Sequence, residues 1–140
     1  MVFRFNVLTY EFMKLHVEEF ISMNNANLKN EYWQADHFLA SLNQKWDLSF
    51  YAATEKNEMA GFIIASDKVT TVHIHKFVVD HPFQQHGLGS KMLKHLIEQT
   101  EKPISLKVEK ENEAAIRFYL KNQFKITGSQ ESLYTMICER

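Results

Sequence analysis

Residues 2–8, Val-Phe-Arg-Phe-Asn-Val-Leu, alternate apolar with polar side chains, which is the period of a half-buried strand. The period lengthens to that of a helix at Phe12, Leu15, His16, Glu19 and Phe20 through Met23. It breaks at Asn24-Asn25-Ala26-Asn27 and resumes at Tyr32, Trp33, Phe38, Leu39 and Leu42, so two short helices are expected. Two apolar runs, 48–54 and 59–65, flank the polar Glu55-Lys-Asn-Glu58 and predict a hairpin, and Asp67-Lys68 turns the chain into a third run, 72–79. From Leu88 the apolar positions Met92, Leu93, Leu96 and Ile97 fall on one face of a helix. A strand at 104–108, a helix carrying Asn112 to Tyr119, and strands at 124–127 and 133–138 joined by Gly128-Ser-Gln-Glu131 complete the chain. Up to Val79 no helix separates the strands, so the sheet starts antiparallel. Beyond it helices alternate with strands, and strands joined by a crossover helix are expected as parallel neighbours. The pattern predicts an α/β chain (an α+β mixed sheet) with its central sheet flanked by helices.

Composition narrows the picture without redirecting it. A length of 140 residues suits a single domain, 1–140, with enough buried surface for a real core. Sixteen Lys and Arg against seventeen Asp and Glu give a net charge of −1, which favours neither nucleic acid nor an anionic membrane as partner. Cys138 is the only cysteine, so no internal disulfide can form, and it reads as a small buried hydrophobe. The polar residues Arg4, Asn6, Glu11 and Lys14 interrupt any signal-like apolar run, no stretch could span a bilayer, and a cytoplasmic location is the expectation.

The stretch 72–97 concentrates the candidate chemistry. Its apolar positions are even at Val72 and Ile74 and odd at Phe77 and Val79. One extra residue near His75-Lys76, a β-bulge, would restore a single apolar face; burial on both faces would also explain the run. The strand then enters Gln84-Gln85-His86-Gly87-Leu88-Gly89-Ser90, a glycine-rich turn into a helix. Such a turn is either a tight corner or a cradle whose unpaired first amides face a phosphate. His73-x-His75 invites a metal reading, but no carboxylate or cysteine lies at a zinc spacing beside it, and no metal is expected. Either histidine could instead take a proton from an ammonium. Asn112 precedes Glu113-Ala-Ala as a helix cap would, and Ala115 and Tyr119 share its face. Trp33 and Trp46 read as packing residues.

The spacings Gln84-x-x-Gly87-x-Gly89 and Asn112-x-x-Ala115-x-x-Phe118-Tyr119, each after a strand-like run, resemble the two motifs of the GCN5-related N-acetyltransferases (GNAT). The resemblance covers residues 48 to 137. It implies acetyl-CoA as co-substrate, an amine-bearing acceptor and a sheet whose parallel strands splay near Val79 and Val108. The pyrophosphate would sit on the amides from Gln85 to Ser90, with Gln84, His86 and Leu88 in the same loop. Phe77, Val78 and Val79 would line the pantetheine arm, with Asn112, Ala115, Phe118 and Tyr119 opposite, Phe118 turned toward the core. Tyr119 would be the general acid for the departing thiolate, and His73 or His75 would stand where family members carry a base. Two departures are visible. Pro82 falls one residue later than usual, after His81, and Gln123 replaces the glycine before Phe124, so Asn122 or Gln123 must supply a left-handed residue. A non-catalytic acyl-CoA sensor is the rival. The acceptor stays open, as does the choice between monomer and homodimer.

Overall fold

The structure, a computed structural model, describes residues 2–28, 32–43 and 48–139. In chain order the elements are β1 (Phe3–Val7), α1 (Tyr10–Asn27), α2 (Ala35–Asn43), β2 (Phe50–Thr54), β3 (Met59–Asp67) and β4 (Val72–Val79). A 3₁₀ turn (His81–Phe83) leads to α3 (Leu88–Glu98), β5 (Ile104–Glu109), α4 (Glu113–Lys121), β6 (Lys125–Gln130) and β7 (Leu133–Cys138). The strands form one mixed sheet in the order β1-β2-β3-β4-β5-β7-β6, parallel only between β4 and β5 among the paired neighbours.

Three local expectations change. α1 does not stop at Asn24 but runs through Asn27, where the Asn27 amide donates to the Met23 carbonyl and the Leu28 N–H closes on Asn24. The irregularity lies instead at His16 (φ −116°, ψ 17°), whose ring stacks on Phe12 and whose Nδ1 pairs with Glu19 at 2.9 Å. Burial of Phe20 and Met23 outweighs the weak helix propensity of the asparagines. β5 and β6 are not neighbours: β7 returns from its hairpin and inserts between them, pairing antiparallel with both. β6 also runs on through Gly128, Ser129 and Gln130, so the turn is Glu131-Ser132.

The sheet is buried on both faces. Ile63, Val72, Ile74, Ile104, Leu106 and Met136 pack against Leu88, Met92 and Leu96 of α3. Phe62, Ile64 and Val78 pack against Met13 and Phe20 of α1 and Phe38 of α2, with Phe20 and Phe62 in edge contact. Trp33 joins this second core, its ring edge-on to Phe38, whereas Trp46 lies outside the described residues.

β4 carries the irregularity that its sequence pattern predicts. Ile64 of β3 faces Lys76 and Ala65 faces Ile74, so the register slips by one residue at His75. The extra residue turns Phe77 and Val79 to the α3 side with Val72 and Ile74, while Val78 joins the α1 core. Bulge and two-sided burial therefore coexist. On its other edge β4 pairs with β5 only at Val72↔Ile104, His73↔Ser105 and Ile74↔Leu106, and beyond these residues the two strands part.

Candidate active site

The split between β4 and β5 opens into a cavity of about 600 Å³. Phe77, Val78 and Val79 form one wall, Ala115, Phe118 and Tyr119 of α4 the other, and Gln84, Gln85, Gly87, Leu88, Gly89 and Ser90 its mouth. A smaller chamber of about 90 Å³ adjoins it, sharing Leu28, Phe77, Ala115 and Tyr119, and is bounded further in by His75, Lys76, Lys107 and Asn112. Tyr119 thus stands where the two spaces meet. His86 is exposed and outside both, and Phe118 faces the large cavity instead of turning wholly into the core.

The mouth gathers backbone donors. Gln85 and Gly87 are both left-handed (φ +67° and +75°), which curls the chain so that successive N–H groups face one side. None of the amides from Gln85 to Ser90 donates to a backbone or side-chain acceptor among the described residues; the first helical bond runs from the Lys91 N–H to the Gly87 carbonyl. These donors sit at the positive end of the α3 dipole. The two glycines have different reasons to be there. A Cβ on Gly87 would meet nothing, so its backbone angle is what requires glycine; a Cβ on Gly89 would lie 3.1 Å from the Phe118 ring, so α3 and α4 need it to approach each other.

The Gln84 side chain turns back from these donors. Its Nε2 donates to the Val79 carbonyl (2.8 Å) and to Asn27 Oδ1 (3.2 Å), while Asn27 Nδ2 donates to Asp80 Oδ1 (2.9 Å). Asp80 also accepts from the His81 N–H, starting the 3₁₀ turn. The last residue of α1 therefore fastens both ends of the segment that enters the mouth. Asn27, Leu28 and Lys121 all line the large cavity, and the motif reading missed them. Lys121 reads in sequence as an ordinary last-turn cation, and Asn27 as a helix breaker.

Asn112 caps α4, its Oδ1 accepting from the Ala115 N–H at 3.2 Å, and also borders the small chamber. α4 ends with Gln123 in the left-handed conformation (φ +75°). The Phe124 N–H bonds to the Tyr119 carbonyl and the Gln123 N–H to that of Leu120, the pairing of a Schellman motif. Gln123 thus supplies the turn that glycine usually makes, and the Tyr119 ring stays packed between Phe118 and Phe124.

The two histidines lie edge to face, centroids 4.8 Å apart. His73 Nδ1 is 2.9 Å from Ser105 Oγ, and His75 Nε2 is 2.7 Å from Ser66 Oγ. Burial, with Lys68 and Lys107 nearby, lowers the His73 pKa; burial, then His73 and Lys68, pushes that of His75 down to about 4. His75 is therefore neutral at neutral pH. Among the described residues no three His, Cys, Asp or Glu gather as a metal site would require.

The sheet thus parts between two parallel strands, with backbone amides at the mouth of the gap and a tyrosine at its inner end. Residues 9–124 match the Acetyltransferase (GNAT) family, and the chain belongs to that family, whose N-acetyltransferases take their acetyl group from acetyl-CoA. The [Ribosomal protein bS18]-alanine N-acetyltransferase of Escherichia coli K12 is 31% identical over 91 residues, 62% of this chain and 60% of that protein. In fold, the chain is similar to Ard1 from Thermoplasma volcanium (TM-score 0.82, 24% identity, 98% and 97% of the two chains). It is also similar to the Escherichia coli ribosomal-protein-S18-alanine N-acetyltransferase (0.82, 20%, 99% and 94%). Among the described residues no helix is long and apolar enough to cross a membrane.

Proposed function

We propose that the protein moves the acetyl group of acetyl-CoA directly onto the N-terminal amine of a protein or peptide. The observation that carries this reading is the run of acceptor-free amides from Gln85 to Ser90, at the mouth of a cavity that leads to Tyr119 at the β4/β5 split. These amides are the right donors for a pyrophosphate, and Lys121 adds a cation to the same cavity. The pantetheine arm lies between Phe77 to Val79 and Ala115 to Phe118. The β3 ladder is interrupted at His75, which borders the small chamber, and the acetyl carbonyl is oriented there. The relative's name supports the acceptor class, since it acts on an alanine of a ribosomal protein.

The reaction needs a proton removed from the ammonium and one delivered to the thiolate. His75 borders the small chamber as a neutral acceptor, with His73 edge to face against it. Burial lowers both, His75 to about 4, and the pair is the candidate base for the ammonium proton. The amine lone pair attacks the acetyl carbonyl carbon, the C–S bond breaks as Tyr119 gives its hydroxyl proton to sulfur, and the second proton lost by the attacking nitrogen returns Tyr119 to its neutral form. Tyrosine is protonated at neutral pH and donates without tuning. Tyr119→Phe removes only that hydroxyl. Thiol release from acetyl-CoA with an N-terminal peptide should fall 10²- to 10⁴-fold, with CoA affinity by calorimetry unchanged. Wild-type rates in the variant would remove Tyr119 from the role of acid, and a wild-type protein that binds CoA tightly but acetylates no amine would be the sensor.

A further inference from the structure

A third space, of about 370 Å³, lies between α1 and the β1–β2 edge of the sheet, and it shares no lining residue with the large cavity or the small chamber. Cross-strand pairs build its floor: Arg4 stands opposite Ala53, Asn6 opposite Tyr51, and Met59 follows Ala53 on β3. Ala53 is buried and small, so the floor is low and apolar between these longer side chains. On the α1 side Phe12 stacks on two other rings, on Tyr51 at 4.2 Å and 10° and on His16 at 4.2 Å and 27°. Two exposed residues of opposite charge border the space without pairing with each other. Arg4 donates through Nη2 to Asn57, a neutral side chain, and its other guanidinium N–H groups meet no acceptor among the described residues. Glu19 meets His16 Nδ1 with one carboxylate oxygen, at 2.9 Å, and its second oxygen has no partner among the described residues.

An apolar floor, flat ring faces and two separate charges of opposite sign are the parts of a small-molecule pocket, and each has its own counterpart in a ligand. The guanidinium takes a carboxylate, the free carboxylate oxygen takes an ammonium, and the stack takes a flat ring. A simple anion would also face Glu19, and a simple cation Arg4, so a molecule of one sign meets repulsion that a zwitterion escapes. We propose that this pocket is a second binding site, separate from acetyl transfer, and that its ligand is a free aromatic amino acid. The ligand and CoA bind together, because their sites share no residue. Nothing in this assignment depends on which amine is the acetyl acceptor.

The test is calorimetry on the CoA-saturated protein with L-phenylalanine and with probes that each lack one of its parts: phenylpropionate the ammonium, phenethylamine the carboxylate, and L-alanine the ring. L-phenylalanine should bind once per chain, and each of the other probes about 10-fold or more weakly. Arg4→Met and Glu19→Gln should each weaken L-phenylalanine about 10-fold or more. CoA affinity should hold in both variants, because neither residue borders the large cavity or the small chamber, and cooperative unfolding checks that both fold. Absence of saturable L-phenylalanine binding at millimolar concentration, equal affinity for all the probes, or an affinity that either substitution leaves unchanged overturns the inference. Competition between L-phenylalanine and CoA overturns it as well, since it would put the amino acid in the acyl-transfer cavity.

Discussion

His75 lies edge to face against a second imidazole with its Nε2 2.7 Å from Ser66 Oγ, and burial, then His73 and Lys68, hold its ring neutral. Its pKa is depressed from 6.5 to about 4, which means that between these values the unfolded chain binds a proton the folded one refuses. The stability gained from the neutral ring is therefore complete above pH 6.5 and is lost as pH falls through about 4. Because the ring is only half-buried, solvent screens part of the effect. Urea midpoints should decline from pH 6.5 toward 5, less steeply in His75→Gln, which keeps a polar side chain near Ser66; identical slopes in the two proteins would show that His75 does not titrate in this window. The same residue could be singled out in sequence as the site of a bulge, because the apolar positions change parity across it. Its bond to Ser66 was not readable, since that serine lies nine residues away on another strand.

The turn from β4 into α3 and the contact of α3 with α4 separate two roles that one motif superimposes. Gly87 needs glycine for its backbone angle and Gly89 for the 3.1 Å approach of Phe118. Gly87→Val should put a strained side chain at the cavity mouth and lower CoA affinity more than 10-fold by calorimetry, in a protein that still unfolds cooperatively. Gly89→Ala should instead cost stability, about 1 kcal/mol, with partial rescue by Phe118→Leu in denaturant titrations. A Gly89→Ala protein of wild-type stability would show that α3 and α4 separate freely. An apolar period was enough to place α3, and the cap at Asn112 with the shared face of Ala115 and Tyr119 to place α4. The distance between them depends on side chains more than 25 positions apart.

Joining α1 to the mouth of the cavity makes the two faces of the sheet mechanically one. Asn27 holds Asp80 and Gln84 together, so Asn27→Ala should loosen the mouth and raise the KM for acetyl-CoA about 3- to 10-fold, with kcat little changed. Asn27→Asp should be worse, because it sets a second carboxylate against Asp80. Unaltered KM values in both variants would show that the mouth holds its shape without α1. The sequence by itself determined the strands β1 to β4, the helices after them and the glycine-rich mouth, because each is written in local period or turn chemistry, and it left the parity change near His75 open between a bulge and burial on both faces. Tertiary structure alone decided that β7 inserts between β5 and β6, that α1 runs on to Asn27, and that cations from β4 and β5 share one chamber. Those outcomes rest on pairings between distant residues, whose worth depends on what else is buried beside them and leaves no period along the chain.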